Sequence, residues 1–327
     1  MTTNAPRAAD RSEVPVLDLT PLLKGGPIDE LAQELDRACR ETGFFYVSNH
    51  GISETAINAV FGATRRYFAL PEKQREKDLM HPYFRRGFMP QGYSQQPGYE
   101  ADLKESYEVG LDLALDDPDV VARKPLHAPN QWPAELPWLR EAAETYYAQA
   151  RRLGENLLRL IARALGLDDG FFLEYLQKPM IQMRMFHYPP QPPTDTALGA
   201  APHTDFGMVT LLAQDPIGGL ELKKRDGEWV AAPYIDGTLV ANIGDLFQRW
   251  TNDRYVSNFH RVTNRTGRER YSIPMFFNLD YDAPVACLPT CCSADNPPRH
   301  KPIAFGDYIV SRFKSVQKFK TEEAATA

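Results

Sequence analysis

Ala200-Ala201-Pro202-His203-Thr204-Asp205-Phe206-Gly207, running on into Met208-Val209-Thr210-Leu211-Leu212-Ala213, is the stretch on which the reading of this chain turns. Its second half is apolar and rich in β-branched residues, the composition of a strand. Side chains at i and i+2 of a strand share a face. His203 and Asp205 at the end of such a strand would aim an imidazole and a carboxylate at one point, with Thr204 facing away. Two ligands do not close a metal site, and a His-x-Asp triplet is common by chance. Its meaning depends on a third ligand, for which the candidate is His260 in Asn258-Phe259-His260-Arg261-Val262.

His260 follows His203 by 260 − 203 = 57 residues, room for two antiparallel strands and their loops. Two imidazoles and one carboxylate leave coordination positions open, a donor set suited to non-haem Fe(II) and oxygen chemistry. Farther on, Arg270-Tyr271-Ser272 sets a guanidinium and a hydroxyl on one strand face, a fork that fits a carboxylate.

The texture around these residues suggests how they meet. From about residue 180 the chain breaks into short strand-like segments separated by Gly, Pro, Asn and Asp: 181–188, 209–213, 220–223, 229–231, 238–243, 260–262, 271–277 and 303–305. This pattern predicts a double-sheet jelly roll. Upstream, helical spacing covers 28–39, Ser53 is a natural N-cap for a second helix, and 137–165 is the longest apolar stripe. A shorter helix is predicted from Asp168 to about Leu176.

The expected class is therefore α+β and β-rich. Residues 1–13 read as a disordered N-terminus. Residues 14–178 read as a helical and strand region packing on the core, with a long irregular loop at 78–105. Residues 179–306 form the jelly-roll core, and 307–327 a C-terminal helix and tail. The loop's Arg85, Arg86, Gln91, Tyr93, Ser94 and Tyr99 suit contact with a polar small molecule.

Composition sets outer limits. With 43% hydrophobic and 24% charged residues, the 327-residue chain is ordinary for a globular protein. A net charge of −6 argues against nucleic acid or an anionic membrane as partner. No apolar run approaches the roughly 20 residues that span a bilayer, and residues 1–16 carry no signal-peptide core. The expected location is cytoplasmic; oligomeric state is not legible. Cys287, Cys291 and Cys292 lack zinc-knuckle spacing and read, with Cys39, as reduced thiols.

At this point the motifs line up with a known family. Val14–Leu19, Gly43-Phe-Phe-Tyr-Val-Ser-Asn-His-Gly-Ile52, Phe68-Ala-Leu-Pro-Glu-Lys73, Lys104–Gly110, Tyr188-Pro-Pro190, His203-Thr-Asp205, Asn242-Ile-Gly-Asp245, His260-Arg-Val262 and Arg270-Tyr-Ser272 occur in the order seen in it. The chain resembles the isopenicillin N synthase-like group of 2-oxoglutarate/Fe(II) oxygenases over nearly its whole length. The resemblance implies a distorted double-stranded β-helix with iron held by His203, Asp205 and His260. It also implies 2-oxoglutarate as cosubstrate, its distal carboxylate on Arg270 and Ser272 with help from Tyr188, and O2 as oxidant. The implied reaction hydroxylates, desaturates or cyclises a small metabolite and releases succinate and CO2. Many plant relatives carry Asn two residues before the tyrosine, where this chain has Phe186.

Strand parity adds to the resemblance. If Tyr188 faces the cavity, Phe186 and Arg184 do so too, while His187 and Met185 face away. A cation in an apolar barrel is costly unless paired, so Arg184 is expected to meet an acid, either on the substrate or within the protein. Phe206 and Phe276 are expected to face the cavity, and with Arg184, Arg85 and Tyr93 they complete the candidate substrate contacts. Competing readings are an Fe(II) oxidase that uses no 2-oxoglutarate, a zinc-type hydrolase, and a non-catalytic jelly-roll binding module.

Overall fold

The computed structural model describes residues 6–191 and 198–316. Twelve strands build two sheets that face one another. They are β1 (Val16–Asp18), β2 (Phe44–Ser48), β3 (Gly87–Met89), β4 (Glu105–Gly110), β5 (Gln182–Tyr188), β6 (Ala200–His203), β7 (Val209–Gln214), β8 (Leu220–Lys223), β9 (Trp229–Ala232), β10 (Thr238–Ile243), β11 (His260–Val262) and β12 (Arg270–Phe277). The large sheet runs β1-β2-β10-β7-β12-β5-β4-β3 and the small one β6-β11-β8-β9. This is the expected distorted double-stranded β-helix. Strands from the first 110 residues extend both edges of the large sheet, so the N-terminal region and the jelly roll share one sheet.

Alternation on the strands separates two cores. Met183 and Met185 of β5, with Ile273, Met275 and Phe277 of β12, face the helices Asp29–Glu41, Glu54–Phe68 and Pro137–Ala164. Phe186, Tyr188, Leu220, Leu222 and Val262 form a second cluster between the sheets. The long helix lies so close that a Cβ on Gly154 would sit 1.9 Å from the Phe277 ring. Ser53 caps its helix as expected, its hydroxyl accepting from the Ala56 N–H. Gly43 ends the preceding helix with φ +70°, and a Cβ there would lie 2.0 Å from the Val256 carbonyl oxygen.

Several expectations need correction. Residues 6–13 are ordered: Ala8 bridges to Ala231, and Arg7 pairs with Glu13 and Glu228. Residues 1–5 and 317–327, including the expected frayed tail, lie outside the described residues. The loop 78–105 contains β3, too short a strand to show a period, which pairs with β4. The helix expected at 168–176 is only a 3-10 turn, Phe171–Tyr175, because the Asp168 carboxylate accepts the Gly170 N–H and bends the chain. His203 and Asp205 do not share a strand. His203 ends β6 in the small sheet, and Asp205 lies in the connection to β7 of the large one. No helix of the described residues is long and apolar enough to cross a membrane.

Candidate active site

His203 and His260 are direct cross-strand partners on β6 and β11, which is how 57 residues of chain close on themselves. Their rings lie 4.3 Å apart. The His203 Nδ1 is 2.7 Å from the Ala201 carbonyl oxygen, and the His260 Nδ1 is 3.2 Å from that of Asn258. A carbonyl only accepts, so each Nδ1 carries the proton and each Nε2 keeps its lone pair free. Burial, reinforced by the facing His260, pushes the His203 imidazole well below its usual range and keeps it neutral.

Asp205 supplies the third donor, with Oδ1 3.7 Å from the His260 Nε2. Its other oxygen, Oδ2, accepts from the Thr210 hydroxyl at 2.6 Å and the Asn242 amide at 2.7 Å. Thr210 and Asn242 are themselves cross-strand neighbours on β7 and β10. Burial works against this carboxylate, but the two imidazoles and these two hydrogen bonds outweigh it and hold the carboxyl below its ordinary value. One donor atom from each of His203, Asp205 and His260 lies within 4.8 Å of the others. Free Nε2 lone pairs and one carboxylate oxygen suit a divalent metal with open positions.

The connection carrying Asp205 is pinned from outside. The N–H groups of Gly244, Asp245 and Leu246 donate to the carbonyls of Met208, Asp205 and Gly207, at 2.7–3.1 Å. A Cβ on Gly244 would lie 2.3 Å from the Gly207 oxygen, so the close approach requires glycine. The motif Asn242-Ile-Gly-Asp245 thus orients Asp205 through a side chain and its loop through the backbone. Thr204 does not face away as expected. Outside a strand it turns to the cavity and donates to Asp245, which also pairs with Arg312 of the helix Phe305–Val316.

Around the triad lies a cavity of about 120 Å³ that opens to solvent. Arg184, Phe186 and Tyr188 line it from β5, and Arg270, Ser272 and Phe276 from β12, as parity requires; Phe206 lines it too. His187 points to the other side, stacked 4.9 Å from Tyr271 with Nδ1 2.8 Å from Glu105. Arg270 is fully buried. Its Nε donates to the Gly218 carbonyl, its Nη1 lies 3.2 Å from the Ser272 hydroxyl, and its guanidinium stacks 4.5 Å from the Tyr188 ring. Its Nη2 has no hydrogen-bond partner and it forms no salt bridge among the described residues; the nearby Asp215 feels its charge but is hydrogen-bonded to the Tyr271 and Ile217 N–H groups. A buried guanidinium with a vacant donor beside a hydroxyl is arranged for an incoming carboxylate.

Arg184 meets an internal acid. Its Nε is 3.2 Å from Glu108 Oε2, across the β4–β5 pair. Arg85 holds the same carboxylate with Nε–Oε1 3.2 Å and Nη2–Oε2 2.9 Å. Arg85 therefore does not line the cavity, contrary to expectation, and neither does Tyr93; their neighbours Ser94 and Gln96 do. Parity carried two residues farther would have found Gln182 and Asn278, which both line the wall. Asn242 and Thr210 were missed as holders of Asp205 because cross-strand contacts are non-local.

Comparison with known proteins agrees with this geometry. Residues 179–279 match the 2OG-Fe(II) oxygenase superfamily, and residues 14–135 the non-haem dioxygenase in morphine synthesis N-terminal region. The chain is 36% identical to a 2-oxoglutarate-Fe(II) type oxidoreductase of Emericella nidulans, hxnY, over 96% of this chain and 94% of that protein. Among solved structures, a full-length Neurospora crassa protein in complex with alpha-KG and thymine superposes with a TM-score of 0.82 at 28% identity, covering 94% of this chain and 99% of that one. JOX2 in complex with 2OG, Fe and JA gives 0.81 at 26%, covering 100% and 91%.

Proposed function

The chain belongs to the 2OG-Fe(II) oxygenase superfamily, and from that premise we propose that His203, Asp205 and His260 hold its iron and that Arg270, Ser272 and Tyr188 hold the distal carboxylate of 2-oxoglutarate. The protein is a Fe(II)- and 2-oxoglutarate-dependent oxygenase of small molecules. When bound, the iron supplies the coupling of 2-oxoglutarate decarboxylation, with release of succinate and CO2, to oxidation of a substrate by O2. The protein's own residues position and exclude. Each Nδ1–H fixed on a carbonyl turns an Nε2 toward the metal. Asn242 and Thr210 occupy one oxygen of Asp205 and leave the other for it. Arg270 and Ser272 fix the cosubstrate's far end, and Phe206, Phe276 and Phe313 keep water from the remaining volume.

The observation that carries the reading is the buried Arg270 with a vacant Nη2 and no salt bridge among the described residues. The primary substrate shares the cavity with 2-oxoglutarate, and the acidic net charge favours a small metabolite over nucleic acid. The test is succinate release by the Fe(II)-loaded enzyme with and without 2-oxoglutarate, repeated after replacement by Zn(II). Succinate that needs Fe(II), O2 and 2-oxoglutarate supports the assignment. Turnover without 2-oxoglutarate, or with Zn(II), would reverse it in favour of an oxidase or a hydrolase. The product's mass then separates hydroxylation from desaturation or ring closure.

A further inference from the structure

The cavity has a second cationic end that the cosubstrate does not use. Arg184 stands four residues before Tyr188 on β5, roughly 13 Å along the strand from the Arg270 end. It is 9% exposed, its guanidinium lies 5.0 Å from the Phe276 ring, and it lines the cavity. Its salt-bridge partner among the described residues, Glu108, is already held by the two-pronged fork of Arg85. The Arg184 Nε lacks a hydrogen-bond partner despite its 3.2 Å approach. Two buried guanidiniums therefore share one buried carboxylate, so Glu108 cannot satisfy both.

Two further buried polar atoms on this wall have no partner. The Gln182 Nε2 lies on the same face of β5, and the Asn278 Oδ1 lies just beyond β12. The Asn278 amide nitrogen donates to the Met180 carbonyl at 3.0 Å, which fixes the oxygen as the unpartnered atom. Around them stand Phe206, Phe276 and Phe313. A buried unbalanced cation is expensive and is relieved by an anion that arrives with the ligand. A carboxylate presents two acceptor oxygens in one plane, the arrangement that the edge of a guanidinium takes up.

Building on the oxygenase reading above, we propose that Arg184, with Gln182 beside it, is the anion-recognition group of the primary-substrate site, and that this substrate is a monocarboxylate with a flat apolar body. The carboxylate lies on Arg184, the body packs on Phe206 and Phe276, and the Asn278 oxygen accepts from an N–H or O–H on that body.

The experiment is anaerobic calorimetry on the Fe(II)-loaded enzyme, first with 2-oxoglutarate alone, then, at saturating 2-oxoglutarate, with benzoate, phenylacetate and cinnamate, each against its carboxamide. In at least one pair the acid should bind about tenfold or more tightly than the amide, the size of one charge-assisted hydrogen-bonded contact. Arg184→Gln should erase that preference while leaving 2-oxoglutarate affinity unchanged, and Arg184→Lys should retain part of it. No acid preference in any pair, whether both members bind equally or neither binds, overturns the proposal. So does a preference that survives in Arg184→Gln, or a loss of 2-oxoglutarate affinity in that variant. Failure of 2-oxoglutarate itself to bind the unmodified enzyme would instead bring down the oxygenase reading on which this rests.

Discussion

Two arginines on neighbouring strands of one barrel are solved in opposite ways. Arg270 is fully buried without a salt bridge among the described residues and keeps Nη2 vacant beside Ser272. Arg184 faces the same cavity but leans on Glu108, which it shares with Arg85. On the proposed assignment, the first is a site that the 2-oxoglutarate carboxylate completes. The second is a protein ion-pair network, which on the proposal above a ligand only balances. The contrast teaches that a buried cation is informative through its partners, not its burial alone. An arginine without protein carboxylate points to an obligatory anionic ligand, whereas a partly paired one tunes which further ligand is accepted.

The largest expected effect breaks what both ends share. His260→Ala removes one of three donors, and metal-dependent succinate release should fall to background while the fold, read by circular dichroism, persists. Activity retained at more than a small fraction would mean that the two arginines do not serve a common iron.

Next comes the Arg184 side of the contrast. Glu108→Gln strips the carboxylate from two buried guanidiniums, and breaking such a network costs about 3–5 kcal/mol of stability. Urea denaturation should show it, with the KM for 2-oxoglutarate unchanged. The pH dependence follows in sign. Burial opposes the Glu108 charge, but Arg184 and Arg85 outweigh it and hold the carboxyl below its ordinary value. Its contribution is present above the unfolded value near 4.5 and is lost as pH falls through the lower folded value. Glu108→Gln should flatten that part of the acid limb.

Arg270→Leu probes the other side. It should weaken 2-oxoglutarate by about 2 kcal/mol or more, a roughly 30-fold rise in KM, since the ligand's carboxylate loses a buried charged partner. Stability should hold or rise, because the resting protein loses an unpaired buried charge. A stability loss as large as that of Glu108→Gln, with KM unmoved, would erase the distinction between the two arginines.

How much of this was legible in the sequence follows from which interactions are local. Period-two alternation placed Arg184, Phe186 and Tyr188 on one wall and His187 on the other, because parity needs only one strand. The jelly roll was readable from short strands with turn residues between them. His203 and Asp205 were read as one strand end although they straddle two sheets, since a triplet looks alike in a strand and in a bend. Glu108 as the partner of Arg184 depends on β4 pairing with β5 across more than seventy residues, which no local pattern encodes. Arg85 looked like a loop residue available to a ligand, yet the chain folds it inward at φ +58° to reach Glu108.

The smallest effect concerns the atoms that aim Asp205. Asn242 and Thr210 donate to the same oxygen, at 2.7 and 2.6 Å, from adjacent strands. Asn242→Ala removes one donor and the lever that turns Oδ1 toward the imidazoles, so Fe(II) affinity should fall about 10- to 100-fold, as for other residues that orient a ligand from behind. Thr210→Val keeps the shape and deletes only the hydroxyl, so its loss should lie at or below the lower end of that range. The double variant should lose more than the product of the two, because in each single variant the remaining donor still restrains the same oxygen. Excess Fe(II) should restore turnover in both single variants, while Arg270→Leu gains nothing from added metal. That split between metal rescue and 2-oxoglutarate rescue would separate the iron end of the cavity from its carboxylate end within one assay. If added 2-oxoglutarate rescued Asn242→Ala as well, the two ends would have to be treated as a single coupled site.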